Sequence, residues 1–440
     1  MTKVLLIAYY FPPLGGAGVQ RAEKFVRYLP PEGFQPAVVA GPLAAADRWT
    51  PYDETLLENL PSEIAVRRVE GPVPAAEPKW RRRLRGLAGL SSPFAKWWIS
   101  SAAKAGLEVC AGASLVFATM PPFESAWAAD ALSQRLGVPW VADFRDPWAL
   151  DEIQVYPTAL HRLRELKQME ALLHRAALVI MNTPEAALAV KRVLSRIDSG
   201  KIVTIPNGFD PEDIAGSVTP RTDGKFRIVH AGYLLTDAGL QMRAQRLQRL
   251  LGVAVRGVDI LTRSPVFLIE AITRWVNKRP QVREDLEIVF AGKVSQQDRD
   301  VVEASAIGVM ARFPGYMPHA ASLQLVRTAD LLFLPMHNVP DGLRSTTVPS
   351  KTYEYMAAER PILAAVPEGD AKDFLRQCGT ALIVSPDDVE AMTRILEEVY
   401  AAWNSGRAQV CSDRAFLSRF ERRTQARELA AAFHRVLENG

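Results

Sequence analysis

Residues 347–366 read TVPSKTYEYMAAERPILAAV, and we interpret the rest of the chain around this stretch. Pro349 disfavours helical geometry in the residue before it, and Ser350 is a residue type that favours the N-cap position. The pattern predicts a helix over residues 351–358, ended by Pro361. The apolar run over residues 362–366 then has the length of a buried strand.

The first turn of this predicted helix is a candidate site for a phosphorylated ligand. Backbone amides at the N-terminus of a helix point outward and attract phosphate. Glu354 lies one residue too late to form a capping box with Ser350, so we expect its carboxylate to be free for another partner, such as a ribose diol. The alternative is a surface helix with a solvated glutamate, which an isolated S-K-x-x-E would favour.

The longer pattern P-S-K-x-x-E-Y-M-A-A-x-x-P-I-L-A resembles the donor-nucleotide segment of GT-B glycosyltransferases, specifically the large retaining family 4. The resemblance implies that amides at Ser350 and Lys351 hold a nucleotide diphosphate and that Glu354 holds the ribose. Family members often carry a second glutamate eight positions earlier, near the transferred sugar, and this chain has Thr346 there. Thr346 and Thr347 are expected to line the donor site.

The composition is that of a globular protein with two or three domains. Of the 440 residues, 48% are hydrophobic and 23% are charged, and the net charge of +4 is too small to argue for nucleic acid as a partner. Three distant cysteines without a C-x-x-C pair fit a reducing compartment and argue against a zinc module. We interpret the N-terminal apolar run as a first strand instead of a signal peptide, and no apolar stretch reaches bilayer length. These features predict a cytoplasmic protein.

The chain opens with an apolar run over residues 4–10, followed by a glycine-rich loop and a helical pattern. Gly15, Gly16 and Gly18 follow the first strand, where glycine lets backbone amides approach a phosphate or a sugar. A dinucleotide-binding loop would need a third glycine at Arg21 and an acidic residue after the second strand, and both are missing. The loop resembles instead the P-x-x-G-G-A-G loop of family 4, which implies contact with the transferred sugar and the diphosphate. A tight turn without a ligand is the alternative.

Residues 139–148 read PWVADFRDPW and resemble a segment of one family 4 branch that faces the cleft from the first domain. Asp143, Arg145 and Asp146 are too polar to continue a buried strand, so we expect them at the carboxyl edge of the sheet, where α/β sites form. The resemblance implies acceptor-side roles for all three residues and a catalytic role for Asp146. The alternative is an Asp–Arg pair that ties down a loop.

A metal site is not expected. The segment around residues 143–146 lacks the D-x-D metal signature, and GT-B enzymes generally dispense with a catalytic metal. The resemblance therefore implies no metal and no cofactor, with a nucleotide diphosphate sugar as the donor substrate.

Residues 79–96 carry six Lys or Arg and no Asp or Glu. Trp80 lies within this segment, and Trp97 and Trp98 directly follow it. Such a mixture suits an anionic membrane interface, where tryptophan sits at headgroup level and arginine meets phosphates. The alternative is a basic linker followed by a helix that buries its tryptophans. The longer stretch over residues 42–95 shows no regular pattern.

The second half restarts after I-P-N-G-F-D at residues 205–210, which resembles the interdomain hinge of the family. A strand over residues 226–231 leads to Gly232, which is expected to border the donor site. Arg263 matches the phosphate-facing arginine of the family if the insertion over residues 235–261 loops out. That insertion is interpreted as a loop, a lid or a membrane contact.

Together these patterns predict an α/β protein, and the resemblance implies the GT-B fold, two Rossmann-like domains facing across a cleft. We expect an acceptor-side domain over residues 1–207, completed by a C-terminal helix at about 413–440, and a donor domain over residues 208–412. The implied function is hexosyl transfer from a nucleotide diphosphate sugar, with retention of configuration. Lys351 and Arg263 would stabilise the leaving diphosphate.

The acceptor remains open between a glycan, a lipid-linked molecule and a small molecule, with a peripheral contact to the inner face of a membrane. Two alternative functions also remain open. One is a nucleotide-sugar epimerase on the same fold. The other is a non-catalytic protein that binds a nucleotide sugar or a membrane, which the threonine at position 346 favours.

Overall fold

The computed structural model describes residues 1–45, 51–58, 60–244, 255–407 and 410–439. The chain divides into two compact units, each built on its own parallel sheet. The first unit runs from Met1 to Asn207 and takes in the C-terminal helix that starts at Arg422. The second unit comprises the described residues from Gly208 to Glu421.

The first unit has helices packed on its sheet. Its strands are β1 (Thr2–Ala8), β2 (Phe34–Ala40), β3 (Ala65–Arg68), β4 (Leu115–Met120), β5 (Trp140–Phe144), β6 (Leu178–Met181) and β7 (Ile202–Thr204). Its helices up to residue 193 are α1 (Ala17–Tyr28), α2 (Lys79–Ala88), α3 (Pro93–Val109), α4 (Glu124–Leu136), α5 (Ala159–Arg175) and α6 (Pro184–Val193). The spatial order is β3-β2-β1-β4-β5-β6-β7.

Strand β1 is buried on both faces over residues 4–8, which explains the unbroken apolar sequence of that run. In β1, Val4 pairs with Pro36 of β2 on one side and with Leu115 of β4 on the other. Because all neighbouring strands run parallel, their carboxyl ends meet at one edge of the sheet. The glycine-rich loop after β1 and the D-F-R-D-P-W segment at the end of β5 therefore lie at the same edge.

The second unit repeats this plan. Its strands are β8 (Phe226–Ala231), β9 (Leu286–Ala291), β10 (Ala311–Gly315), β11 (Leu331–Pro335), β12 (Ile362–Ala365) and β13 (Ala381–Val384), in the spatial order β10-β9-β8-β11-β12-β13. Its helices are α7 (Pro211–Ile214), α8 (Thr236–Ala244), α9 (Val266–Lys278), α10 (Gln296–Glu303), α11 (His319–Arg327), α12 (Lys351–Ala357), α13 (Asp370–Cys378), α14 (Val389–Asn404) and α15 (Arg414–Leu417). Residues 245–254 of the expected insertion, with Arg246 and Arg249, lie outside the described residues.

The C-terminal segment differs from the single helix expected from about residue 413. Helix α15 ends at Leu417, and a 3-10 turn leads to Glu421, whose backbone is extended (φ −68°, ψ 134°). Helix α16 (Arg422–Glu438) then packs on the first unit, where Phe433 meets Phe34 edge to face with ring centroids 5.4 Å apart. The apolar spacing continues through the break, so periodicity alone does not reveal it.

The expectation that residues 42–95 are irregular is wrong in two places. Strand β3 forms the edge of the first sheet, and α2 carries most of the basic residues of the 79–96 segment. Trp98 on α3 is fully buried and donates from Nε1 to Ser125 Oγ at 3.1 Å, whereas Trp80 on α2 is exposed. Within the described ranges, no helix has the length and hydropathy needed to cross a bilayer.

Candidate active site

Helix α12 follows the loop after β11 and begins at Lys351. The predicted side-chain cap by Ser350 is wrong, because the Ser350 backbone is already helical (φ −57°, ψ −34°) and its hydroxyl makes no capping bond. The first turn is held by the backbone, with the Thr352 amide donating to the Pro349 carbonyl at 2.9 Å. The hydroxyl of Ser350 therefore remains available to a ligand.

The Lys351 side chain lies against the carboxyl end of β8. Its Nζ is 3.0 Å from Nε2 of His230, whose Nδ1 is 3.0 Å from the Phe333 carbonyl oxygen on β11. Gly232 makes room for the lysine, because a Cβ there would lie 2.5 Å from Lys351 Nζ. Its φ of 125° also lies in the region that favours glycine. Gly232 thus positions the lysine as well as bordering the site.

Arg263, the last residue of the turn Ile260–Arg263, adds positive charge at the same place. Burial and then Arg263 hold the pKa of Lys351 well below its usual value, while Glu354 opposes the shift. Burial and then Lys351 hold the pKa of His230 well below its usual value. The histidine is therefore neutral at ordinary pH, and the site is one where an anion is stabilised.

Glu354 has a protein partner, so the expectation that its carboxylate would be free is wrong. Its Oε1 lies 3.0 Å from Nε2 of His319, the first residue of α11. Nδ1 of His319 lies 3.8 Å from Oδ2 of Asp213 on α7. Because the Glu354 side chain is still 20% exposed, it can accept hydrogen bonds from a ligand while His319 orients it.

The neighbouring Tyr355 couples α12 to β8. Its hydroxyl accepts a hydrogen bond from the Ala231 amide at 2.8 Å, and burial raises the pKa of Tyr355, so it stays a neutral phenol. Sequence reasoning missed His230, His319 and Tyr355. The one signal available was His230, a titratable residue near the carboxyl end of a mostly apolar strand.

The loop before α12 is tied to the sheet edge. The Thr347 amide donates to Ser345 Oγ at 3.3 Å, and the Ser345 amide donates to the Glu368 carbonyl at 2.8 Å. A Cβ at Gly369 would lie 2.6 Å from the Ser345 carbonyl oxygen, so glycine is required for this close approach. The half-buried Thr346 belongs to this fixed loop, and its donor-site role stays a prediction.

In the first unit, Asp143 is fully buried within β5, where it pairs with Thr119 of β4 and Ile180 of β6, so the expectation that it is too polar to continue a buried strand is wrong. The Arg21 guanidinium donates to both of its carboxylate oxygens, most closely at 2.6 Å, and the Thr119 hydroxyl donates to it at 2.8 Å. Arg21 also donates to the carbonyls of Ile205 and Pro206. This geometry favours the loop-tying Asp–Arg pair, with Arg21 as the arginine, and the acceptor-side role of Asp143 stays a prediction.

Arg145 holds the glycine-rich loop. Its guanidinium donates to the carbonyls of Gly18, Met120 and Pro121. A Cβ at Gly18 would lie 2.0 Å from Arg145 Nη1, so the arginine itself requires glycine at this position. Burial lowers the pKa of Arg145, and the exposed Asp146 is the first charge that opposes the shift.

The other two glycines of the loop shape the start of α1. Gly16 precedes the helix with φ 99° and ψ 162°, a conformation that favours glycine. The Gly15 amide donates to the Pro51 carbonyl at 2.5 Å.

The second unit thus brings together five of the predicted site residues, Ser350, Lys351, Glu354, Gly232 and Arg263. Gly15, Gly16, Gly18, Arg145 and Asp146 meet in the first.

Two parallel sheets of this topology, each with helices packed on it, are those of the GT-B fold. Residues 15–208 match the family described as glycosyl transferase 4-like domain, and residues 262–402 match the family described as glycosyl transferases group 1. Together these matches cover most of the chain. The chain belongs to the group 1 glycosyltransferases, so the predicted glycosyltransferase family is confirmed, and retention of configuration stays a prediction.

Solved structures agree on the fold. HepE from Anabaena, in complex with UDP and glucose, is 16% identical with a TM-score of 0.59 over 99% of this chain and 100% of that chain. Sucrose-phosphate synthase from Thermosynechococcus elongatus is 14% identical, with a TM-score of 0.66 over 100% of both chains. A glycosyltransferase from Rickettsia africae is 12% identical, with a TM-score of 0.63 over 100% of this chain and 99% of that chain. A comparison with curated protein sequences finds no match.

Asp143→Asn should separate the structural role of Asp143 from an acceptor-side role. Breaking a buried ion pair leaves an uncompensated charge, so we expect the free energy of unfolding to fall by about 3–5 kcal/mol. Urea denaturation measures the change, with Glu63→Gln, at an exposed acidic residue of the same unit, as a control that should stay within about 0.5 kcal/mol. A folded Asp143→Asn protein of unchanged stability that has lost transfer activity would contradict the structural assignment.

Proposed function

We propose that this glycosyltransferase transfers a hexosyl group from a nucleoside diphosphate sugar to an acceptor, with retention of configuration. The observation that carries the proposal is the placement of Lys351 and Arg263 next to Glu354 at the start of α12. Two positively charged side chains can bind the oxygens of a diphosphate. A carboxylate one turn further along the helix can accept hydrogen bonds from the ribose diol. The structure of HepE holds UDP, which supports a nucleoside diphosphate as the leaving group.

In the proposed mechanism, negative charge develops on the diphosphate as the glycosidic bond breaks. Lys351 and Arg263 would stabilise this charge, and the Ser350 hydroxyl, which makes no capping hydrogen bond, would donate a further hydrogen bond to it. The diphosphate oxygen that departs would accept the acceptor's proton, so that attack occurs on the face from which the nucleotide leaves.

The alternatives differ in their products. A transferase forms a glycosylated acceptor and a nucleoside diphosphate, an epimerase forms an isomerised sugar, and a binding protein forms neither. The enzyme should be incubated with a panel of UDP-, GDP- and ADP-sugars and glycan, lipid-linked or small acceptors, with products separated by mass spectrometry and anomers assigned by NMR. A product with the same anomeric configuration as the donor is the expected result. An inverted product would exclude retention, and an isomerised sugar without an acceptor product would favour the epimerase.

Glu354→Ala tests the ribose contact. Charge-assisted hydrogen bonds contribute roughly 1.5–3 kcal/mol each, so we expect the affinity for whichever of UDP, GDP and ADP wild type binds most tightly to fall by about ten- to a hundredfold. Ribose is bound before and during the reaction, so much of the effect should appear in KM for the donor. Calorimetric titration measures the affinity, and Glu390→Ala, another first-turn glutamate of the second unit, is the matched control. Equal affinities of folded wild type and Glu354→Ala would rule out the ribose assignment.

Transfer should proceed in excess chelator. Lys351 and Arg263 supply positive charge where the diphosphate would lie, which is the role that a divalent metal fulfils in other glycosyltransferases. We expect the initial rate with EDTA to match the rate without it. A loss of most activity that magnesium or manganese restores would contradict the proposal.

We also propose that the enzyme works in the cytoplasm at the inner face of a membrane, docked through α2 and the start of α5. Trp80 and Leu84 lie one turn apart on α2 and are 60% and 58% exposed, and Leu160 and Leu163 on α5 are 45% and 49% exposed. Helix α2 is joined to α5 by His161, whose Nε2 lies 3.1 Å from the Arg83 carbonyl. Exposed apolar groups among arginines suit an anionic bilayer surface.

Arg81→Gln, Arg82→Gln and Arg83→Gln together should weaken binding to vesicles that contain anionic lipid. Each basic residue near such a surface contributes about 1 kcal/mol, so we expect a loss of about a hundredfold. Arg85 is left intact because it pairs with Glu77 at 2.7 Å. A control protein with Gln at three exposed arginines of the second unit, Arg376, Arg394 and Arg414, carries the same charge change. Equal sedimentation with vesicles for both proteins would count against the surface.

A further inference from the structure

His230 lies at the carboxyl end of β8 and is buried, and the mechanism above gives it no task. Its Nδ1 is 3.0 Å from the Phe333 carbonyl oxygen, which can only accept a hydrogen bond, so Nδ1 carries the proton. In the neutral ring Nε2 then presents a lone pair. The Lys351 ammonium, 3.0 Å away, donates to that lone pair.

We propose that His230 is a positioning residue, which fixes the Lys351 ammonium at the donor diphosphate and keeps it protonated. This inference rests on the proposed function, because it takes Lys351 as a diphosphate ligand. An ammonium group has three N–H donors, and His230 occupies one of them. The other two remain for phosphate oxygens, in directions that the His230 contact sets.

A neutral partner has an advantage over a carboxylate here. A carboxylate in hydrogen-bond contact would cancel the charge that the diphosphate is meant to meet, whereas an imidazole lone pair orients the ammonium and leaves its charge intact. The structure keeps the nearby carboxylate occupied, because Glu354 is bound by His319 at 3.0 Å. The room for this contact comes from Gly232, where any side chain would collide with Lys351.

The charged groups around the pair set the direction of its pH dependence. Arg263 lowers the pKa of both Lys351 and His230, and Glu354 raises that of Lys351. The carbonyls of Phe333 and Tyr233 favour the proton on His230, but burial outweighs them. Since the His230 lone pair favours the charged form of Lys351, removing it should lower the pKa of Lys351 further.

Diphosphate binding requires charged Lys351, so affinity should fall as pH rises through the pKa of Lys351. Without His230 this alkaline fall should begin at a lower pH. A substitution that only loosened the fold would weaken binding without moving the fall along the pH axis. The pH profile therefore distinguishes positioning from a general structural role.

The test is calorimetric titration of UDP, GDP and ADP against five proteins from about pH 6 to about pH 10. The proteins are wild type, His230→Phe, His230→Gln, Lys351→Met and the His230→Phe/Lys351→Met double variant. For the nucleotide that wild type binds most tightly, we expect His230→Phe to lose about tenfold in affinity. Its alkaline fall should begin about one pH unit lower. His230→Gln should bind within about threefold of wild type, because its amide oxygen also accepts from the lysine.

The double variant completes a thermodynamic cycle. If His230 acts through Lys351, His230→Phe should have no further effect once Lys351 is Met. Circular dichroism checks the fold, and His230→Leu replaces His230→Phe if the phenylalanine variant does not fold.

The outcomes separate this inference from the proposed function. If Lys351→Met weakens binding and His230→Phe binds with the affinity and pH profile of wild type, the positioning role is wrong and the proposed function stands. If Lys351→Met binds like wild type, the proposed diphosphate contact fails and the inference fails with it. If wild type binds none of the three nucleotides, the donor-site assignment itself is overturned.

Discussion

The candidate active site depends on keeping a lysine ammonium charged where protein has replaced much of its water. Burial and Arg263 both disfavour the charged form of Lys351, and the site offers it a neutral acceptor in place of a counter-ion. Such an arrangement costs folding free energy, because burial disfavours the charge of Lys351 and Glu354 offsets only part of that effect. A bound anion removes that cost. The excess positive charge therefore supports the proposed role of this site in binding a diphosphate.

The first unit uses buried charge in the opposite way. Arg21 and Asp143 are both fully buried, and each satisfies the other, with further hydrogen bonds from Thr119 and to the backbone of residues 205–206. The Arg145 guanidinium likewise donates hydrogen bonds to three backbone carbonyls. Groups that are satisfied by the protein hold its shape, whereas groups left with spare donors, such as Lys351, are suited to a ligand. By this criterion Arg21, Asp143 and Arg145 hold the first unit together, whereas Lys351 is suited to a ligand.

Much of the fold follows from local pattern. The predicted strand over residues 226–231 coincides with β8, because a short, mostly apolar segment that is buried over nearly its whole length is a strong signal. The edge strand β3 has mostly exposed residues, and α2 buries none of its residues, so neither shows the buried apolar run that predicts a central strand. The break between α15 and α16 was not predicted from the sequence for a related reason. Apolar spacing continues across it, although one side packs on the second unit and the other on the first.

The sequence by itself determined the α/β class, the family and the helix that carries Ser350, Lys351 and Glu354. Only the tertiary structure decided the partner of each charged group. Lys351 meets His230 across 121 residues, Asp143 meets Arg21 across 122, and Glu354 meets His319 across 35. The physical reason is that a parallel sheet gathers the carboxyl ends of its strands, and the loops that follow them, at one edge whatever their separation along the chain. Periodicity and capping patterns depend only on residues within a few turns of each other. They therefore predict which residues lie at that edge of the sheet, but not which side chains are in contact there.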